Sequence, residues 1–78
     1  MIFRKGEFVC VTKGIWQGHY GQIATVKDLD QDKFPYMVYI VDGDDKTQTC
    51  MFKGRSLRMA DRHSDELHIS YFLKVVKK

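Results

Sequence analysis

Between Lys5 and Val26 the chain reads Lys-Gly-Glu-Phe-Val-Cys-Val-Thr-Lys-Gly-Ile-Trp-Gln-Gly-His-Tyr-Gly-Gln-Ile-Ala-Thr-Val, and this stretch constrains the fold more than any other. From Glu7 to Thr12, Val9 and Val11 alternate with Phe8, Cys10 and Thr12. That is the two-residue period of a strand. Gly14, Gly18 and Gly21 then punctuate a loop, and Ile23 and Val26 begin a second apolar run. Glycines placed so let the backbone take a positive φ or approach a neighbouring strand closely. A strand, a glycine-articulated loop and a second strand are the expected opening of a small barrel, with Val9 and Val11 facing its core.

On Gly6, Val9, Val11, Gly14, Gly18, Gly21, Ile23 and Val26 the stretch resembles the KOW motif of SH3-like barrels, found in NusG-type transcription elongation factors and some ribosomal proteins. The resemblance implies an all-β chain forming a single small SH3-like five-stranded barrel over residues 1–78, with a short 3-10 turn and a closing strand at its C-terminus. Known members bind RNA, DNA or proteins, so the resemblance leaves the partner open.

Later segments fit that frame. The second strand is expected from about Gln22 to Leu29, and Asp28, Asp30 and Asp32 follow along a polar turn. Their spacing resembles the start of an EF-hand loop, but Lys33 stands where that loop needs Gly and Tyr39 where it needs Glu, so a solvated hairpin turn is expected. Tyr36 to Val41 reads Tyr-Met-Val-Tyr-Ile-Val, apolar on both faces, which predicts a central strand with Val38 and Ile40 inside. Asp42-Gly43-Asp44-Asp45 carries the Asp-Gly signal of a hairpin, and a fourth strand is expected from Lys46 to about Phe52. The tail reads two ways. Ser64-Asp65-Glu66 looks like a helix start, with Leu67, Tyr71, Phe72, Val75 and Val76 on one face. Leu67, Ile69, Tyr71, Leu73 and Val75 also alternate as a strand would. The resemblance favours a turn at Ile69-Ser70-Tyr71 and a final strand from Phe72 to Val76.

Composition bounds the function. One 78-residue domain with 44% hydrophobic residues has enough apolar side chains for a core, although a chain so short buries only about 60% of its unfolded surface. A net charge of +3 is compatible with nucleic acid and far weaker than the charge of a histone-like arm. Cys10 and Cys50 have no metal-ligand spacing, so two free thiols are expected before a disulfide or a zinc site. Arg4 and Lys5 follow Met1-Ile2-Phe3 at once, unlike a signal peptide. No apolar run reaches the roughly 20 residues of a membrane span. The expected location is the cytoplasm, with no membrane association.

Two segments carry candidate binding residues. The loop from Lys13 to Tyr20 sets Lys13, Trp16, His19 and Tyr20 among glycines, the mixture of cation and rings that stacks bases and contacts phosphates. The same rings suit packing over the barrel mouth. From Lys53 to His63 come Lys53, Arg55, Arg58 and Arg62, whose forks suit phosphate and whose alternative is a solvated connector. The nucleophile-elbow, P-loop and zincin patterns are all missing, and His19, His63 and His68 fall in different connections. No catalytic residue, metal ligand, cofactor or small-molecule substrate is expected.

Two binding functions from different classes remain. One is recognition of nucleic acid, RNA or DNA, through the aromatic loop and the basic segment. The other is protein–protein interaction, with the chain acting as a small regulator in a transcription, translation or replication assembly. As six of the ten carboxylates lie in the two acidic turns, those turns sharing one end would leave a basic end free. The chain is expected as a monomer or a weak dimer, since a small barrel can pair at an exposed edge.

Overall fold

The four apolar runs expected as strands between Phe8 and Phe52 become strands, and the run after Asp65 becomes a helix. The computed structural model describes residues 2–42, 44–61 and 63–76. Strands β1 (Phe8–Val11), β2 (Tyr20–Val26), β3 (Tyr36–Val41) and β4 (Thr47–Phe52) form an antiparallel meander. A 3-10 turn, Gly54–Ser56, leads into β5 (Leu57–Met59), which returns to pair with β1. Helix α1 (Glu66–Val76) ends the described chain. The strand order is β4-β3-β2-β1-β5, one open sheet of five strands.

A 3-10 turn and a strand after it exist, but earlier than expected, at Gly54–Ser56 and Leu57–Met59, inside the segment read as a basic connector. That strand closes no barrel among the described residues: it pairs with β1 alone and leaves β4 and β5 as the two edges of the sheet. The Thr12 N–H donates to the Ser56 carbonyl at 2.8 Å and holds that return against the first hairpin. Residues 66–76 are helix, not turn and strand, and a second apolar layer explains why. One face of the sheet buries Val9, Val11, Ile23, Val38, Ile40, Phe52 and Leu57. The other presents Phe8 and Val41, on which α1 lays Phe72 and Val75. Phe72 meets the Phe8 ring edge-on, with centroids 6.1 Å apart. A strand at 72–76 would leave Phe8 and Val41 in water; the helix covers both, which is the ordinary reason an amphipathic helix forms. Its buried face differs from the expected one, because Leu67 and Tyr71 point to solvent.

Local devices set the register. Ile23 pairs with Val38 and Thr25 with Met37, so Ala24 is an extra residue on β2. Such a bulge shifts the alternation by one, and Ile23 and Val26 both reach the inner core despite their odd spacing. At Gly21 a Cβ would lie 2.4 Å from the Tyr39 carbonyl oxygen, so the strand crossing there admits only glycine. At the N-terminus, Phe3 does not extend β1. It is buried beside Tyr36, ring centroids 5.3 Å apart, and its N–H donates to the Tyr36 hydroxyl at 3.2 Å.

Connectivity corrects the electrostatic expectation. The turns around Asp28–Asp32 and Asp42–Asp45 are the two connections of β3, so they lie at opposite ends of the sheet and leave no purely basic end. Gly43 of the second turn lies outside the described residues. Cys10 and Cys50 are free, and with two strands between β1 and β4 a bridge between them has no place in this sheet. Among the described residues no helix is long and apolar enough to cross a membrane.

Candidate binding surface between the first hairpin and the helix

The β1–β2 loop is held rigidly by its own backbone. The Gly18 N–H donates to the Val11 carbonyl at 2.8 Å, and the Val11 N–H donates to the His19 carbonyl at 2.9 Å. Gly18 takes φ +88° to make that return, a conformation open to glycine at little cost. Trp16 is half-buried against the inner core. His19 stands edge-on to it at 5.2 Å, its Nδ1 3.1 Å from the Trp16 carbonyl oxygen. Ile15 of this loop is 91% exposed.

Opposite this loop, α1 is clipped to the sheet by one carboxylate. Asp65 is buried and accepts three hydrogen bonds: from the Tyr20 hydroxyl at 2.6 Å, from Arg58 Nη1 at 3.0 Å and from the Asp61 N–H at 2.8 Å. Arg58 and Tyr20 together hold the Asp65 carboxyl well below the usual carboxylate range. The hydrogen bond to Asp65 and some burial push the Tyr20 phenol up. Arg58 also reaches the Tyr20 hydroxyl at 3.1 Å, and His68 stacks on the Tyr20 ring, 4.4 Å between centroids and 5° from parallel. A further tie joins the β3–β4 turn to the helix, where the Tyr71 hydroxyl donates to Asp45.

Between loop and helix runs an open cleft of about 320 Å³, walled by Gln17–Tyr20 on one side and by His68, Tyr71 and Phe72 on the other. Val41 and Asp42 form its floor and end. Asp42 accepts from the Asp44 and Lys46 N–H groups and from Gln48 Nε2, with the Lys46 bond foremost in lowering its pKa. A carboxylate therefore stands at this end of the cleft. Leu67, 85% exposed, and Tyr71, 52% exposed, are one helical turn apart on the solvent side of α1.

The seven described residues among the eight singled out from the sequence do not form one surface. His19 and Tyr20 line the cleft. Trp16 backs the loop from the core side. Tyr20 and Arg58 do come together, but Asp65 engages both, which leaves Arg58 a structural ion pair. Lys13 and Arg55 are exposed and flank the Thr12–Ser56 hydrogen bond. Lys53 lies elsewhere, its Nζ 5.3 Å above the Phe34 ring. Arg62 lies outside the described residues. The sequence reading missed Asp65 and His68: Asp65 looked like an ordinary first-turn acid, and nothing local marks a carboxylate that two distant strands will clasp.

Comparison with protein-family models, with curated proteins and with solved structures finds no match. The likeness to the KOW motif therefore stands on the glycines and alternating valines alone.

Proposed function

We propose that the chain is a non-catalytic protein-interaction module, whose docking surface is the cleft between the β1–β2 loop and α1. The observation that carries this reading is a set of uncovered apolar side chains on the two elements that flank the cleft: Ile15, 91% exposed, on the loop, and Leu67 with Tyr71 on the helix, of which Tyr71 lines the cleft itself. Exposed apolar side chains beside a cleft mark protein-interaction sites, and a tyrosine such as Tyr71 is of the type that anchors them. Asp42 at the cleft end and the neighbouring Asp44 and Asp45 favour a partner segment with an apolar anchor and a basic flank. The test is affinity capture from an extract of the source organism, with nuclease treatment and sequencing of the captured protein. Capture of one defined protein that survives nuclease, is lost in Leu67→Asp and Ile15→Asp, and persists in Lys13→Ala/Arg55→Ala supports the reading.

One observation favours a second reading, nucleic-acid binding. The Thr12–Ser56 bond joins the two segments that carry Lys13 and Arg55, a pair of exposed cations able to meet adjacent phosphates. Titration with single-stranded RNA and DNA then gives binding that falls steeply with salt and weakens in Lys13→Ala/Arg55→Ala. Loss of protein capture on nuclease treatment would replace the first reading with this one.

A further inference from the structure

Strand β4 pairs with β3 alone, and among the described residues no main-chain hydrogen bond reaches it from any other element. The Asp42 N–H donates to the Lys46 carbonyl at 2.8 Å, which makes Asp42 and Lys46 a hydrogen-bonded pair. Antiparallel ladders alternate, so Ile40–Gln48, Val38–Cys50 and Tyr36–Phe52 are bonded pairs as well. The main-chain groups of Thr47, Thr49 and Met51 consequently point off the free edge. Natural edges are blunted by charge, proline or bulges, yet Thr47 to Phe52 holds no charged residue and no proline, and its register with β3 runs unbroken. Met51 and its neighbour Tyr39 on β3 are both more than a third exposed on the adjoining face.

The charges around this strand select an occupant. Asp42, Asp44, Asp45 and Lys46 surround its start, while Lys53 and Arg55 follow its end. The start is net negative and the end net positive, so the edge is complementary to itself when antiparallel and repels itself when parallel. Self-complementarity about a two-fold axis is what an isologous dimer requires.

We propose that β4 is a homodimerisation edge, two copies pairing antiparallel about a two-fold axis at Thr49. Thr49 faces Thr49 of the second copy, and Thr47 faces its Met51. Of the possible registers this one engages all three outward-pointing residues on both strands. It also sets Asp45 of each copy opposite Lys53 of the other. The two sheets become one continuous ten-stranded sheet, and Tyr39 and Met51 of both copies gather beside the axis. The dimer edge shares the acidic turn of Asp42, Asp44 and Asp45 with the cleft proposed for the protein partner, but it is argued from the open ladder of β4, so neither proposal rests on the other.

Sedimentation velocity across a concentration series tests it, with circular dichroism to verify folding. The intact chain is expected to dimerise, less tightly at high salt. Thr49→Pro removes an outward N–H that β3 does not use, and a folded, monomeric variant is the expected result. Lys53→Asp should weaken the dimer about tenfold through like-charge contact, and Lys53→Asp/Asp44→Lys should restore it; Asp44 is chosen because Asp45 holds a left-handed φ of 59°. Leu67→Asp should leave the dimer intact. A chain that stays monomeric at millimolar concentration, or a dimer that survives in folded Thr49→Pro, overturns the proposal.

Discussion

Three donors converge on Asp65, and two of them, Tyr20 and Arg58, belong to different strands, so protonating this one carboxyl loosens the helix from the sheet. The sign of the pH effect follows from the direction of its shift. Arg58, then Tyr20, hold the folded carboxyl below its ordinary range, whereas the unfolded residue titrates near 3.9. Between those values the unfolded chain binds a proton that the folded chain does not, so stability rises with pH there. The contribution is full above about pH 5 and is lost as pH falls through the depressed value. The urea midpoint measured against pH should show this acid limb, and Asp65→Asn should flatten it; an unchanged limb would remove Asp65 from the account. The Tyr20 phenol is shifted upward, so its contribution is present below about pH 10 and fades above. At Gly21 the argument is steric. The missing Cβ would sit 2.4 Å from the Tyr39 carbonyl oxygen, so Gly21→Ala must push β2 from β3. The expected cost is about 1–3 kcal/mol, read as a lower urea midpoint at constant slope.

Helix α1 is the element on which the second core layer depends. Phe72 is 2% exposed and touches both Phe8 and Val41, so Phe72→Ala should destabilise by about 3–5 kcal/mol. Leu67→Ala, one turn away on the solvent side, should change stability by about 0.5 kcal/mol or less. Equal effects of the two would mean the helix packs by another face. The same element marks where the sequence is legible and where it is not. β1 to β4 were readable because a half-buried strand needs only a local alternation, and Val9, Val11, Val38 and Ile40 do lie inside. The tail carried two periods at once, and what decides between them is non-local: the outward-facing Phe8 and Val41 need a cover that only a helix gives. Those side chains are visible in the sequence as apolar residues on a second face, but no local pattern says that a helix at the other end of the chain covers them. The binding loop was legible as a loop, while the fates of its side chains were not. Tyr20 and Arg58 look free in sequence because their partner, Asp65, is 45 positions from one and 7 from the other.

At the scale of the whole molecule, the sheet has a core on each face, and the two cores share β1 and β3. Val9 and Val11 point to one layer from the strand whose Phe8 points to the other. Along β3, Val38 and Ile40 face inward and Val41 outward. Losing either layer therefore exposes strands the other needs, and the clips at Asp65 and at Tyr71–Asp45 add ties from α1 to β2, β5 and the β3–β4 turn. Such coupling predicts one cooperative transition. Trp16 is the only tryptophan and packs against the inner layer, so its fluorescence reports the sheet core, while far-ultraviolet circular dichroism at 222 nm is weighted toward α1. On urea unfolding the two signals should give one midpoint and one slope. In Phe72→Ala, where the outer layer is emptied, the dichroism midpoint should fall below the fluorescence midpoint, because α1 then keeps its polar clips but loses its packing. Coincident curves in both proteins would mean the layers never uncouple. Separate curves in the unsubstituted chain would mean that α1 is a detachable element whose surface, including Leu67 and Tyr71, can move relative to the first hairpin.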